Sequence, residues 1–257
     1  MVRDFFYAPH SPILSIMKVM KRSASIIIPV YNEEEILSSQ VKKIITKIHD
    51  VLPRLAYEII LVENGSTDDT LRKAHELELE YKQVRAVRIS QPSYGLAFKA
   101  GVTHATGDAV VQFDIDFWDV SFMEKALILL DQYDIVIGSK NLSHSFDQRP
   151  LGRRLMSRFV EYFINGWFGV HITDTHGLKV MKREKILSPL KKVKLTNHFL
   201  DSELLLRCHF LGYRFIELPV DLKEIRASRF SVFLRARQVA FELLQLLTIR
   251  KFIVANT

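Results

Sequence analysis

Two aspartates two positions apart, Asp114 and Asp116, follow an apolar run, Val110 to Phe113, that reads as a buried strand. Side chains alternate along a strand, so both carboxylates are expected to leave its C-terminal edge in the same direction. Like charges held this close repel unless a cation or another donor compensates them. Asp116, with Asp114 beside it, is therefore the expected site for a divalent metal and a diphosphate. Solvated turn carboxylates are the competing account of the same residues. A second acidic station, Glu63-Asn64-Gly65-Ser66, ends another apolar run.

Holding these stations together takes a sheet. Residues 25–30, 57–62, 84–89, 109–113 and 135–138 are short apolar, largely β-branched runs that read as strands. Helical patterns separate most of them. Ile36, Val41, Ile44, Ile45 and Ile48 recur at helical spacing through His49, and Gly65 to Asp69 supplies a turn and helix start, with Thr67 or Asp68 as cap. Alternating strands and helices predict a parallel α/β sheet, whose sites lie beyond the strands' carboxyl ends. Asn32, Glu33, Glu63, Asp114, Asp116 and Lys140 all fall at such ends. Further on, a short strand is expected at 178–181, a helix from Asp201-Ser202-Glu203 through Leu211, a strand at 213–220 and a helix at 230–249.

Arg153 and Ser157 are four apart and share a helical face, which with Lys140 would make a phosphate clamp or plain basic surface. Arg226 and Arg229 are either a second diphosphate grip or a solvated face. Residues 239–249 are apolar almost all round and flanked by Arg235, Arg237, Arg250 and Lys251, a pattern that fits a membrane interface or burial against the domain. His171 and His176 flank Asp174 closely enough to leave a zinc site open. There is no Walker loop, dinucleotide fingerprint or serine-hydrolase setting.

With 48% apolar and 25% charged residues, the 257-residue chain is globular and large enough for one substantial core. A net charge of +7 favours an acidic partner, but it lacks the aromatic platform of a nucleic-acid binder. The single cysteine, Cys208, rules out an internal disulfide and reads as a buried thiol. The first 22 residues show no signal-peptide pattern and read as an arm, and no stretch has the length and apolarity of a membrane span.

In order, these pieces resemble a family 2 glycosyltransferase, similar to the dolichyl- or polyprenyl-phosphate sugar synthases, over about Ser25 to Val232. Pro29-Val30-Tyr31-Asn32-Glu33 matches the opening motif, and Asp114-Ile115-Asp116 matches the metal-binding aspartate pair. Gly138-Ser139-Lys140, Arg153 to Ser157, Asp174 to Lys179 and Asp201-Ser202-Glu203 follow in the family's order. Glu63-Asn64 stands where the family has two aspartates, Phe117-Trp118-Asp119 replaces a glutamine-containing continuation, and Arg229 and Val232 replace a glycine and a lysine.

The resemblance implies an α/β, GT-A-like fold with a single Rossmann-like, mostly parallel sheet flanked by helices. Residues 1–22 would be an N-terminal arm, 23–229 the catalytic domain and 230–257 an amphipathic helix and tail. The implied reaction moves a sugar with inversion from GDP-mannose or UDP-glucose to polyprenyl or dolichyl phosphate. Pro29, Tyr31, Glu33, Glu63 and Asp114 would hold the nucleotide. Asp116 with Asp114 would hold Mg²⁺ or Mn²⁺, and Arg226 would assist the leaving diphosphate. Lys140, Arg153 and Ser157 would grip the acceptor phosphate, with Arg153 counted among the catalytic residues. Asp119, Asp174, Asp201 and Glu203 would position the sugar or its loops. The expected setting is the cytoplasmic face of a membrane, met peripherally or through a membrane-anchored partner, without nucleic acid. A glycan or small-molecule acceptor, or a non-catalytic sugar-nucleotide scaffold, are the alternatives.

Overall fold

A computed structural model describes residues 22–142, 151–221 and 232–254, except the side chains of positions 153, 232–236 and 238. Its elements run β1 (Ser23–Val30), α1 (Leu37–Val51), β2 (Ala56–Asn64), α2 (Thr70–Glu80), β3 (Val84–Ile89), α3 (Tyr94–His104), β4 (Ala109–Gln112), α4 (Val120–Leu129) and β5 (Ile135–Ser139). The second half continues α5 (Leu151–Phe168), β6 (Leu178–Lys182), α6 (Arg183–Lys192), α7 (Leu200–Phe210), β7 (Phe215–Pro219), α8 (Val232–Thr248) and α9 (Arg250–Val254).

β1 is buried on both faces, as a central strand of a parallel sheet must be. Alternation sends Ile26 and Ile28 into one core layer and Ile27 into the other. The first layer is completed by α1, α2 and α4; Leu37, Val41, Ile44 and Ile48 form the buried stripe that the sequence spacing predicts for α1. The second layer takes α3, α6 and α7 with one side of α5 and α8. Burying each such side chain contributes roughly 1.5–3 kcal/mol.

The seven strands lie in the order β3-β2-β1-β4-β6-β5-β7. All neighbours are parallel except β6, which runs against both β4 and β5. Reversal matters for the site: the loop before β6 arrives at the same sheet edge as the C-terminal ends of β1, β2, β4 and β5. Gln112 thereby stands in register with Lys179, and Gly138 with Leu178.

Three local expectations are corrected. Asp114 and Asp116 do not extend β4, which ends at Gln112. Reciprocal backbone bonds between Asp114 and Phe117, 3.0 and 3.1 Å, fold these residues into a tight turn, so strand alternation does not set the carboxylates' directions. The cap position of α2 falls one residue later than expected, on Asp69, which makes no side-chain cap bond; Asp68 accepts from the amide and hydroxyl of Thr70, the first helical residue, and from the Glu34 amide. The C-terminal helix is interrupted after Thr248, whose hydroxyl donates back to the Gln245 carbonyl at 2.7 Å, and restarts as α9. Its expected start at Phe230 lies outside the described residues.

Candidate active site

The β1 and β2 ends are clasped together. Asn32 takes a left-handed backbone with φ of 54°, which asparagine tolerates better than most residues. Its amide donates to Ser66 Oγ at 3.1 Å and its Oδ1 accepts from the Thr67 amide at 2.8 Å. Register places Glu63 between Val30 and Arg88. Glu63 is buried; its Oε1 accepts from the Ser66 amide, and Oε2 faces Arg88 Nε at 3.4 Å. Pro29 lies within β1, Tyr31 is exposed just beyond it, and Glu33 is buried with its amide donating to Thr70 Oγ1 at 2.7 Å. The expected nucleotide residues other than Arg226 therefore share one edge.

Beside them lies the 114–117 turn. Ile115 is buried in the core, and Asp114 and Asp116 are both half-buried. Burial, and then the neighbouring charge of Asp116, push the Asp114 carboxyl up to about 6 despite a hydrogen bond from Tyr94. This is the electrostatics of a carboxylate pair suited to a cation. Among the described residues no third histidine, cysteine or acid joins them as a metal ligand. Two carboxylates that leave most positions to water and phosphate oxygens suit Mg²⁺ or Mn²⁺ bound with a diphosphate. The Asp174 region that left zinc open splits, with His171 exposed and His176 half-buried.

A buried polar chain that sequence reading missed runs from this turn. Tyr94 Oη lies 3.0 Å from Asp114 Oδ1 and accepts from Gln112 Nε2 at 2.9 Å. Gln112 Nε2 also donates to Asp201 Oδ2 at 2.8 Å, and the fully buried Lys179 donates to the same oxygen at 3.1 Å and to the Gly177 carbonyl at 2.8 Å. A glutamine inside Val110 to Phe113 and a lysine inside Leu178 to Met181 were the available signals, since polar groups in buried strands require partners.

On the other side of β6, Lys140 follows the end of β5 and is buried. Its ammonium is 2.7 Å from Asp174 Oδ2, while Asp174 Oδ1 accepts from the His176 amide at 3.0 Å. Burial drives His176 down to about 4, so the ring is neutral near pH 7. Ser157 is half-buried on α5, the helix that also carries Arg153, whose side chain is outside the described residues, as are Arg226 and Arg229 in full. Asp119 Oδ1 accepts from the Phe122 amide at 2.9 Å and caps α4. Glu203 is buried, accepting from the Lys194 and Leu195 amides and from Arg207, so it braces the 193–195 segment. Cys208 is buried, and burial pushes its thiol up to about 12.

Beyond this edge, α5 exposes Leu155, Phe159 (60%), Tyr162 (74%) and Trp167, and the adjoining α8 exposes Phe241 (61%) and Leu244. Leu243 and Leu246 on the other side of α8 are buried, so the C-terminal helix meets the core with one face and leaves a second apolar face outside. Arg250 lies over the Trp167 ring at 5.7 Å.

The family model described as Glycosyl transferase family 2 matches residues 25–187. Glycosyltransferase AglD of Haloferax volcanii is 28% identical over 202 residues, 77% of this chain but only 32% of its own length. A dolichyl-phosphate beta-glucosyltransferase of Homo sapiens is 26% identical over 243 residues, 87% of this chain and 74% of its own. Glucosyl-3-phosphoglycerate synthase from Mycobacterium tuberculosis, crystallised with Mn²⁺, UDP and glucosyl-3-phosphoglycerate, superposes with a TM-score of 0.66 at 20% identity, over 93% of this chain and 85% of that one. At that identity the likeness concerns the fold, which is the GT-A arrangement expected from the sequence.

Proposed function

The chain belongs to glycosyl transferase family 2, and from that premise we propose that it transfers a sugar from GDP-mannose or UDP-glucose to a polyprenyl or dolichyl phosphate. The observation that carries this reading is the Asp114–Phe117 turn, an acidic pair at the sheet edge shared by Glu63 on one side and the Asp174 loop on the other. The names of relatives such as the human dolichyl-phosphate beta-glucosyltransferase support the lipid acceptor.

In this reading the buried Glu63 and the neighbouring Tyr31 and Glu33 receive the base and ribose. Asp116 and Asp114 would hold Mn²⁺ or Mg²⁺, which would supply charge neutralisation for a departing diphosphate. An oxygen of the acceptor phosphate forms a bond to the anomeric carbon as the bond from that carbon to the diphosphate oxygen breaks. The electron pair leaves with the nucleoside diphosphate, and configuration inverts. A phosphate monoester is already anionic near pH 7, so no strong general base is required. Asp201, tied to Gln112 and Lys179, accordingly serves to position rather than to take a proton. Arg153 and Ser157 on α5 grip the acceptor phosphate, Lys140 stays paired with Asp174 and fixes the loop beside it, and Arg226 assists the leaving group.

The exposed aromatic face of α5 and α8, with Arg158, Arg237, Arg250 and Lys251 on the same helices and α9, suits adsorption to an anionic membrane surface. Among the described residues no helix is long and apolar enough to cross a membrane. This face favours a lipid acceptor. A small phosphorylated acceptor is the second reading, supported by the glucosyl-3-phosphoglycerate synthase likeness.

The test is a panel of nucleotide-sugars with Mn²⁺ or Mg²⁺, with and without short-chain polyprenyl phosphate, with products identified by mass. A polyprenyl-phosphate sugar is expected. Transfer only to a small phosphorylated molecule would replace the lipid acceptor, and nucleotide-sugar binding without transfer to any acceptor would favour a scaffold.

A further inference from the structure

The hydrogen bonds around Gln112 have only one consistent direction. Its amide nitrogen has two protons, one directed to Tyr94 Oη and the other to Asp201 Oδ2. Lys179 can only donate, and Asp201 Oδ2 receives both it and Gln112. The phenol oxygen is thus already an acceptor from Gln112, which leaves its own single proton for Asp114 Oδ1 at 3.0 Å. The order of donation is fixed from Lys179 and Gln112 inward to Asp201, and from Gln112 through Tyr94 outward to Asp114.

Tyr94 is also held in place from behind. It opens α3, where Ser93 caps the helix by accepting from the Leu96 amide at 3.3 Å and itself donates to the Thr196 carbonyl. The Gly95 amide donates to the same carbonyl at 3.0 Å, and a Cβ on Gly95 would collide with it. His198, from the same loop, lies against the Tyr94 ring with centroids 5.3 Å apart. A phenol this constrained presents its proton to one place.

We propose that Tyr94 is a positioning residue for the metal and nucleotide, its hydroxyl fixing one oxygen of Asp114 so that the other is presented to the cation. Gln112, anchored by Asp201 and Lys179, sets the direction of that hydroxyl. The inference rests on the reading of Asp114 and Asp116 as the metal–diphosphate pair. It adds that the pair is aimed by a polar chain reaching from β4 and β6 to α7, so that a change at Asp201 is felt at the metal.

The test is direct Mn²⁺ binding followed by electron paramagnetic resonance, in the presence of UDP or GDP, on wild type, Tyr94→Phe, Gln112→Met and the double variant. Tyr94→Phe is expected to weaken Mn²⁺ binding about tenfold and Gln112→Met about fivefold, with the double variant no weaker than the worse single because both interrupt one chain. In turnover, the Mn²⁺ concentration for half-maximal rate should rise by the same factor while KM for the acceptor moves less than twofold. Tyr213→Phe removes a tyrosine hydroxyl bonded to the Lys185 carbonyl at 3.2 Å, far from this chain, and should leave Mn²⁺ binding unchanged. Should Tyr94→Phe fail to fold, Gln112→Met tests the same chain from its other end. Wild-type protein that binds no Mn²⁺ with either nucleotide would overturn the metal assignment and this proposal together. Wild-type binding that Tyr94→Phe or Gln112→Met leaves within twofold, or simple additivity in the double variant, would overturn this proposal alone.

Discussion

The ammonium of Lys140 lies 2.7 Å from Asp174 Oδ2, with both side chains almost fully buried. Burial raises the Asp174 carboxyl, but the charge and hydrogen bond of Lys140 outweigh it and hold the group below its usual range. The pair ties the end of β5 to the loop that enters β6. Asp174→Ala would strand a buried ammonium and is expected to cost about 3–5 kcal/mol, whereas Lys140→Met with Asp174→Leu should recover most of it. Urea unfolding measures both, and a loss below about 1 kcal/mol for Asp174→Ala would show that the pair is not structural.

His176 makes stability depend on acidity. Its ordinary value near 6.5 falls to about 4 in the fold, chiefly through burial. The unfolded chain therefore binds this proton first, so stability contributed by the neutral ring is complete above pH 6.5 and declines as pH falls toward 4. The expected loss across that window is about 2–3 kcal/mol. Unfolding at pH 7 and pH 4.5 should show a smaller difference for His176→Gln than for wild type; equal differences would exclude the ring as the source.

Asp116→Ala should reduce metal-dependent transfer by more than about a hundredfold. Circular dichroism and thermal unfolding should match wild type, since Asp116 is half-buried on a turn whose closing bonds are backbone. A folded variant with unchanged turnover would remove Asp116 from the reaction.

Phe159→Asp and Phe241→Asp should each weaken association with vesicles containing anionic lipid about tenfold or more, because each places a charge on an exposed apolar face. Melting temperatures should hardly move. Flotation that is indifferent to both substitutions would leave this face without a membrane role.

The strands were legible because they are short runs rich in β-branched residues bounded by turn signals, and 84–89 coincides with β3. Glu63, Asp114, Asp116 and Lys140 were legible as strand-end residues for the same reason. What stayed hidden depends on long-range pairing. Gln112 and Lys179 meet only because β6 runs antiparallel to β4, and neither sequence nor spacing reports strand direction. Asp119 was expected to position the sugar or its loops, but α4 starts at Val120 and Asp119 caps it by accepting from the Phe122 amide. Asp114 and Asp116 were placed together correctly and on the wrong element, since a turn and a strand end look alike when the next residues are bulky.

The reversal of β6 has a bearing on how such a protein can diversify. Gly138 and Leu178 are register neighbours, so the chain leaves the sheet at the end of β5 and returns to the same edge beside it. Everything between, including the helix that bears Arg153 and Ser157, is an excursion closed at its base. Outside the α5 residues packed into the core and the Lys140–Asp174 pair, composition there can drift without disturbing the registers among β1, β2 and β4. Such a protein can trade one recipient for another while its handling of the activated donor stays put.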